Sequence, residues 1–70
     1  MTGEEHKAIR KSLRISQERW GVLMGVGRIA VCDWERNKYP IPVSVEQWAL
    51  ELCEAPEALF RLERRRGLRQ

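Results

Sequence analysis

Few residues of this chain have the types and spacing that a reaction or a small ligand requires. It has one histidine, His6, and two cysteines, Cys32 and Cys53, which stand 21 positions apart with no Cys-x-x-Cys pair. Structural metal sites need thiolates and imidazoles in closer sets, so no metal site is expected. Both cysteines read as packing or surface residues, and His6, near a terminus, as a solvated helix residue. No nucleophile–base pair or phosphate loop is present, which predicts neither an enzyme nor a bound cofactor. One stretch does suggest a ligand. Gly25-Val26-Gly27-Arg28-Ile29-Ala30 fits GxGxxA, the fingerprint whose glycines let backbone approach a dinucleotide pyrophosphate. The remaining chemistry is cationic. Residues 1–38 carry a net charge of +3, residues 39–60 hold four glutamates and no basic residue, and residues 61–70 carry +4. A chain with two basic ends and an acidic middle has a polarised field, and a basic face attracts a polyanion. A solvated charged surface is the plainer account of the same numbers.

The elements around these residues decide between the ligands. Seventy residues make one small domain, 1–70, which buries only roughly 60% of the surface its unfolded chain exposes. Hydrophobic residues at 43% beside charged residues at 33% exclude a disordered chain. No apolar run approaches the roughly 18 residues of a membrane span, and the N-terminus lacks the signal-peptide pattern, so a cytoplasmic protein with no membrane partner and no disulfide is expected. Thr2 with Glu5 is a capping box that opens a first helix, with Ile9 and Leu13 on one face. Ser16 caps a second helix, stapled by Ile15 and Trp20, carrying Trp20, Leu23 and Met24 inward and stopping at Gly25. A third follows almost at once from Gly27, with Val31 and Trp34 inward, and ends near Asn37. Pro40 and Pro42 make a loop. Ser44 with Gln47 then reads as a second capping box, and Val43 with Trp48 as a staple, for a fourth helix burying Val45, Trp48, Ala49 and Leu52. Pro56 opens a fifth helix that carries Leu59, Phe60 and Leu62. The core is expected over about 4–62, with 63–70 a basic tail that frays.

This is an all-α chain of five helices. The dinucleotide reading therefore fails: it needs a strand before the glycines, a βαβ unit and an acidic residue about 20 positions on. The glycines serve another purpose. A helix, a break of about three residues and a second helix make a helix-turn-helix, in which the two meet at a steep angle. Gly25 turns the chain, and Gly21 leaves room for the third helix to approach. Spacing alone fits a DNA-reading motif and an ordinary helical hairpin equally.

From about Ile9 to Leu52 the chain resembles the lambda-repressor-like helix-turn-helix family, the group of phage Cro and repressor proteins and many bacterial regulators. Arg10, Leu13, Ile15, Ser16-Gln17-Glu18, Leu23, Gly25-Val26, Arg28, Val31 and Trp34-Glu35-Arg36 carry the resemblance. It implies a five-helix lambda-repressor-like domain that lays its third helix in the major groove of double-stranded DNA, as a homodimer on a palindromic operator. Arg28, Ile29, Cys32 and Asp33 then occupy base-reading positions. Gln17, Gly27, Arg36, Asn37 and Lys38 occupy positions near the DNA backbone. Arg10 and Glu35 match a family pair that forms a buried or half-buried salt bridge between helices one and three. The chain departs from the family where Gly27 replaces a hydroxyl-bearing cap, Gly21 replaces alanine, and Asp33 brings a negative charge.

Within that reading each side chain has a definite chemistry and a plainer alternative. The planar fork of Arg28 can bond guanine O6 and N7 together, or it can meet phosphate alone. Ile29 can pack on a thymine methyl or belong to the core. Asp33 can accept from a cytosine amine, repel wrong sites by its charge, or simply bond Arg36 or another neighbour. Gln17, in the first turn of helix two, suits a phosphate. The expected function is a sequence-specific repressor or autorepressor of a small phage, mobile-element or toxin–antitoxin-like operon. Leu59 and Phe60 are candidate pairing residues. The alternative is a protein-interaction module that presents the acidic helix four (Glu46, Glu51, Glu54) to a basic partner.

Overall fold

The computed structural model describes residues 1–67 and holds five helices: α1 (Gly3–Ser12), α2 (Gln17–Met24), α3 (Arg28–Glu35), α4 (Val43–Glu54) and α5 (Ala58–Arg65). There is no strand among the described residues. None of these helices is long and apolar enough to cross a membrane. The domain measures 34 × 23 × 20 Å. Pairwise packing is most extensive between α2 and α3; α1 lies against α3 and α4, and α5 closes onto α4.

Local signals set the first three helices. Thr2 and Glu5 form the reciprocal capping box, with Glu5 N–H donating to Thr2 Oγ1 at 3.1 Å and Thr2 N–H to Glu5 Oε1 at 2.8 Å. Ser16 Oγ accepts from Arg19 N–H at 3.1 Å, and the stapling pair Ile15 and Trp20 are both buried. Each of the three helices also ends in the same way. A left-handed residue follows the last turn: Arg14 (φ 59°), Gly25 (φ 77°) and Asn37 (φ 61°). After each one, the next residue donates back five positions: Ile15 to Arg10 O at 3.2 Å, Val26 to Gly21 O at 2.7 Å, Lys38 to Asp33 O at 2.9 Å. This double closure satisfies carbonyls that a helix end leaves open.

The fourth helix starts differently from the expected way. Pro42, not Ser44, is its N-cap, with φ −57° and ψ 146°, and no side chain caps it. Proline loses nothing there because it has no N–H, and its carbonyl accepts from Glu46 N–H at 3.0 Å. Ser44 therefore lies inside the first turn, and the Ser44–Gln47 box does not form. Val43 is 68% exposed, so the Val43–Trp48 staple does not form either. Pro56 heads a tight turn with Leu59 N–H donating to its carbonyl at 3.0 Å, and α5 proper begins at Ala58. The segment expected to fray from residue 63 is helical to Arg65, while 68–70 lie outside the described residues.

Trp20, Leu23, Val31, Ala49, Leu52, Ala58 and Leu62 are the deepest apolar side chains, and Ile15, Met24, Trp34 and Val45 complete the core. Full burial of one such large side chain contributes about 1.5–3 kcal/mol. Trp48 and Leu59 are only half-buried against this core, and Phe60 is 49% exposed, so Ala58 and Leu62 anchor α5 in place of Phe60.

Candidate nucleic-acid interface

The α2–α3 junction is built around two glycines. Gly25 holds the left-handed turn. Gly21 lies beneath it: a Cβ at Gly21 would stand 2.8 Å from Val26 O and 3.2 Å from Gly27 C and O, all backbone atoms that cannot rotate away. The returning turn lies on bare helix, which fixes how closely α3 approaches α2 and offsets the roughly 1 kcal/mol that glycine costs mid-helix. Arg66 reaches the same place from the end of α5, where its Nε donates to Leu23 O at 2.8 Å. A cation there also suits the negative end of the α2 dipole.

A buried polar cluster fixes α3 from its other side. Both carboxylate oxygens of Glu35 are occupied. Oε2 accepts from Arg10 Nε at 2.8 Å and from His6 Nδ1 at 2.8 Å, and Oε1 accepts from Arg10 Nη2 at 3.0 Å and Gln17 Nε2 at 3.1 Å. Arg10 Nη1 adds a bond to Ile15 O at 2.7 Å in the α1–α2 turn. One side chain of α3 is thereby tied to α1, to the start of α2 and to the turn between them. The Arg10–Glu35 pair is present as a bidentate ion pair, the stronger geometry for these groups.

His6 overturns the expectation of a solvated residue. It is fully buried, edge-on to Trp20 and Trp34 at centroid distances of 5.4 and 6.0 Å. Burial pushes its pKa below the ordinary 6.5, and the charge of Glu35 only partly counters this, so the ring is neutral with its Nδ1–H donating to Glu35. Burial alone would raise the Glu35 pKa; the bonds from Arg10 and Gln17 and the Arg10 charge outweigh that and hold it below the ordinary carboxylate value. The sequence carried the signal for His6. It lies three and seven positions before Ile9 and Leu13, on the stripe that packs inward.

These constraints divide α3 into two faces. Val31, Trp34 and Glu35 point into the domain. Arg28 and Arg36 are exposed, Cys32 and Asp33 are half-buried, and Ile29 is 70% exposed. Positions 28, 29, 32, 33 and 36 share one side of the helix, so four of the five lie among the expected base-reading residues and the fifth is Arg36. Ile29 is not a core residue. Asp33 makes no side-chain hydrogen bond or ion pair among the described residues, so the alternative of a bond to Arg36 or another neighbour is not met there. Gly27 is the N-cap of α3, at φ −81° and ψ 164°, and offers no side-chain cap.

Two residues expected near a DNA backbone already have partners. The Gln17 amide is bonded to Glu35. Asn37 clamps the start of α1, its Oδ1 accepting from Gly3 N–H at 2.9 Å and its Nδ2 donating to Glu4 Oε1 at 2.7 Å. Gly3 is needed for that contact, since a Cβ there would meet Trp34 O at 2.5 Å. Arg36 and Lys38 are exposed, with the Lys38 ammonium 5.7 Å from the Tyr39 ring centre. Both cysteines are free, Cys32 half-buried and Cys53 exposed. No group of three or more His, Cys, Asp or Glu able to hold a metal occurs among the described residues. No protein-family profile, curated protein or solved structure matches this chain.

Proposed function

We propose that the chain is a lambda-repressor-like helix-turn-helix regulator that binds double-stranded DNA through α3. It would act as a homodimeric repressor of a small operon, on a palindromic site. One observation carries this reading: the outer face of α3 presents Arg28, Ile29 and Arg36 to solvent while Glu35 and Gly21 hold the helix rigidly from behind. A side chain as apolar and as exposed as Ile29 gains nothing from the fold, but it fits a thymine methyl beside a guanine held by Arg28. Cys32 and Asp33 complete the base-facing stripe. Arg36 and Lys38 serve phosphates, with the bare backbone at Gly27 allowing close approach. Such contacts fix register without reading sequence. The internal bonds of Gln17 and Asn37 use one hydrogen of each amide and leave the second available to these contacts.

The test is fluorescence anisotropy with a duplex from the promoter upstream of the protein's own gene, against a scrambled duplex, across a salt series. The expected result is at least about a thousandfold tighter binding to the promoter, lost in Arg28→Ala. Equal and weak binding that collapses as salt rises leaves only the phosphate contribution. That outcome favours the second reading, a protein-binding module, for which the uncompensated charge of Asp33 and the exposed Glu51 and Glu54 of α4 are the relevant observations.

A further inference from the structure

The end of α5 reaches the helix-turn-helix although α5 packs on α4. Closure at Gly25 answers only part of the α2 terminus. Gly25 N–H donates to Val22 O at 3.2 Å and Val26 N–H to Gly21 O at 2.7 Å, and no backbone donor reaches the carbonyls of Leu23 and Met24 among the described residues. Leu23 is 1% exposed, so its carbonyl is shut off from water. Its one donor among the described residues is Arg66 Nε, 43 positions away, at 2.8 Å. A buried carbonyl stripped of its donor loses more than the net worth of the bond. The rest of the guanidinium lies over Gly25. A Cβ there would stand 3.3, 3.4 and 3.5 Å from Arg66 Nη1, Cζ and Nη2, three near-equal distances that put the flat face of the group across the turn. Arg66 is itself anchored, its N–H donating at 3.1 Å to the carbonyl of the fully buried Leu62. A second contact joins the same two helices, Arg19 in the first turn of α2 with Glu63 at 3.0 Å. Among the described residues, neither of the other helix ends that close on a left-handed residue receives a side chain from a different helix.

We propose that Arg66 is a positioning residue for α3, an assignment that rests on the DNA-binding reading above and deepens it. Its bond goes to α2, at the turn from which α3 departs. Gly21 sets how closely the two helices approach, and Glu35 ties the far end of α3. Arg66 adds the third constraint, on the last turn of α2 and so on the angle at which α3 leaves it. Charge alone does not do this, since the neighbouring Arg64 and Arg65 are exposed and make no hydrogen bond or ion pair among the described residues. A base contact needs its side chain held to within about half an ångström. A loosened angle therefore costs base discrimination first, while phosphate contacts, which fix register without reading sequence, persist.

Amide hydrogen exchange of the full chain, read residue by residue by NMR without DNA, is the first arm of the test. Val26 and Ile15 N–H make the same backward bond at the ends of α2 and α1. A general loss of stability speeds both alike, whereas a loosened α2 turn speeds Val26 alone. Arg66→Gln is expected to speed Val26 at least about fivefold beyond Ile15. Arg66→Lys should return most of that protection, and Arg64→Gln, the same loss of charge, should leave it unchanged. The second arm compares affinity for the promoter duplex and the scrambled duplex across a salt series. Arg66→Gln should lower the preference for the promoter at least about fivefold with the salt dependence unchanged. Val26 and Ile15 speeding together, or neither changing, overturns the proposal. So does a promoter preference that Arg66→Gln leaves intact, or an equal weakening on both duplexes with the salt slope falling by about one, the mark of a phosphate contact. If the wild type shows no preference for the promoter, the DNA-binding reading fails, and Val26 exchange still decides whether Arg66 holds the turn that places α3.

Discussion

Residues 1–38 and residues 39–67 use different physics to hold their helices. The first region is held by directional bonds. Side chains cap α1 and α2, left-handed residues close three helix ends, and one carboxylate gathers four hydrogen bonds from three side chains. The second region has no side-chain cap on either helix and relies on Val45, Ala49, Leu52, Ala58 and Leu62 packing inward, with an exposed Arg61–Glu51 pair outside. Packing tolerates small shifts, because many weak contacts can readjust together. A buried hydrogen-bonded network does not, since each group that moves leaves another unsatisfied. The region that would have to fix an angle is the one built from bonds that specify an angle.

The largest test breaks the network. Glu35→Ala leaves the Arg10 guanidinium buried without its partner, and about 3–5 kcal/mol of stability should go, a large share of the roughly 5–15 kcal/mol typical of a domain. The matching change in the second region, Glu51→Ala at the exposed pair, should cost under about 1 kcal/mol. Urea denaturation of both variants gives the ratio, and equal losses would erase the distinction between the regions.

Acid should act on the same network. His6 has a native pKa below its ordinary 6.5, so the unfolded chain takes up a proton first as pH falls through 6.5. Stability is therefore full above that pH and is lost on the way down toward the native value. Glu35 follows lower down, because its native pKa is held under the ordinary 4.5. Its contribution is present above that value and disappears as pH falls through the native pKa. A urea midpoint that stays flat between about pH 7.5 and pH 5.5 would show that His6 is not buried as a neutral ring.

Gly21→Ala probes the junction itself. A methyl group set 2.8 Å from Val26 O forces the turn off α2. Overpacking costs about 1–3 kcal/mol, and the better helix propensity of alanine returns up to about 1. A net loss of about 1–2 kcal/mol is expected by urea denaturation, and on the DNA reading promoter selectivity falls before phosphate affinity does. A stabilised variant would mean that the turn does not press on Gly21.

What could be read from the residues in order was mostly local. The Thr2–Glu5 box, the Ser16 cap, the Ile15–Trp20 staple and the turn at Gly25 each depend on neighbours within a few positions, and each formed. The misreadings depended on the three-dimensional surroundings. Ser44 is as good a cap by type as Ser16. But Pro42 already supplied the extended residue and the accepting carbonyl, so the helix began before Ser44. His6 looked polar and terminal; its place on the inward stripe with Ile9 and Leu13 was legible, but the partner that a buried histidine needs, Glu35 of α3, was not. Phe60 outranks Ala58 in hydrophobicity, yet Ala58 fits against the core and leaves Phe60 outside. At the candidate interface the stripe 28, 29, 32, 33, 36 follows from helical period once Val31 and Trp34 point inward. The internal bonds of Gln17 and Asn37 involve residues 18 and 34 positions away, beyond any local pattern.

The smallest expected effect concerns the one helix of the first region that lacks a side-chain cap. Gly27 starts α3 with the backbone angles of an ordinary N-cap, and a Cβ there meets nothing within 4 Å. Gly27→Ser should therefore be accepted without strain, its hydroxyl taking the N–H of Ala30 as Ser16 takes that of Arg19. Serine is better than glycine at this position by only a few tenths of a kcal/mol, so the urea midpoint should rise slightly. The functional consequence has the opposite sign. If phosphate approaches the bare backbone at Gly27, a side chain there stands in its way, and affinity for DNA falls while stability rises. If affinity and stability rise together, the hydroxyl itself is donating to phosphate. Glycine at this position would then owe nothing to close approach.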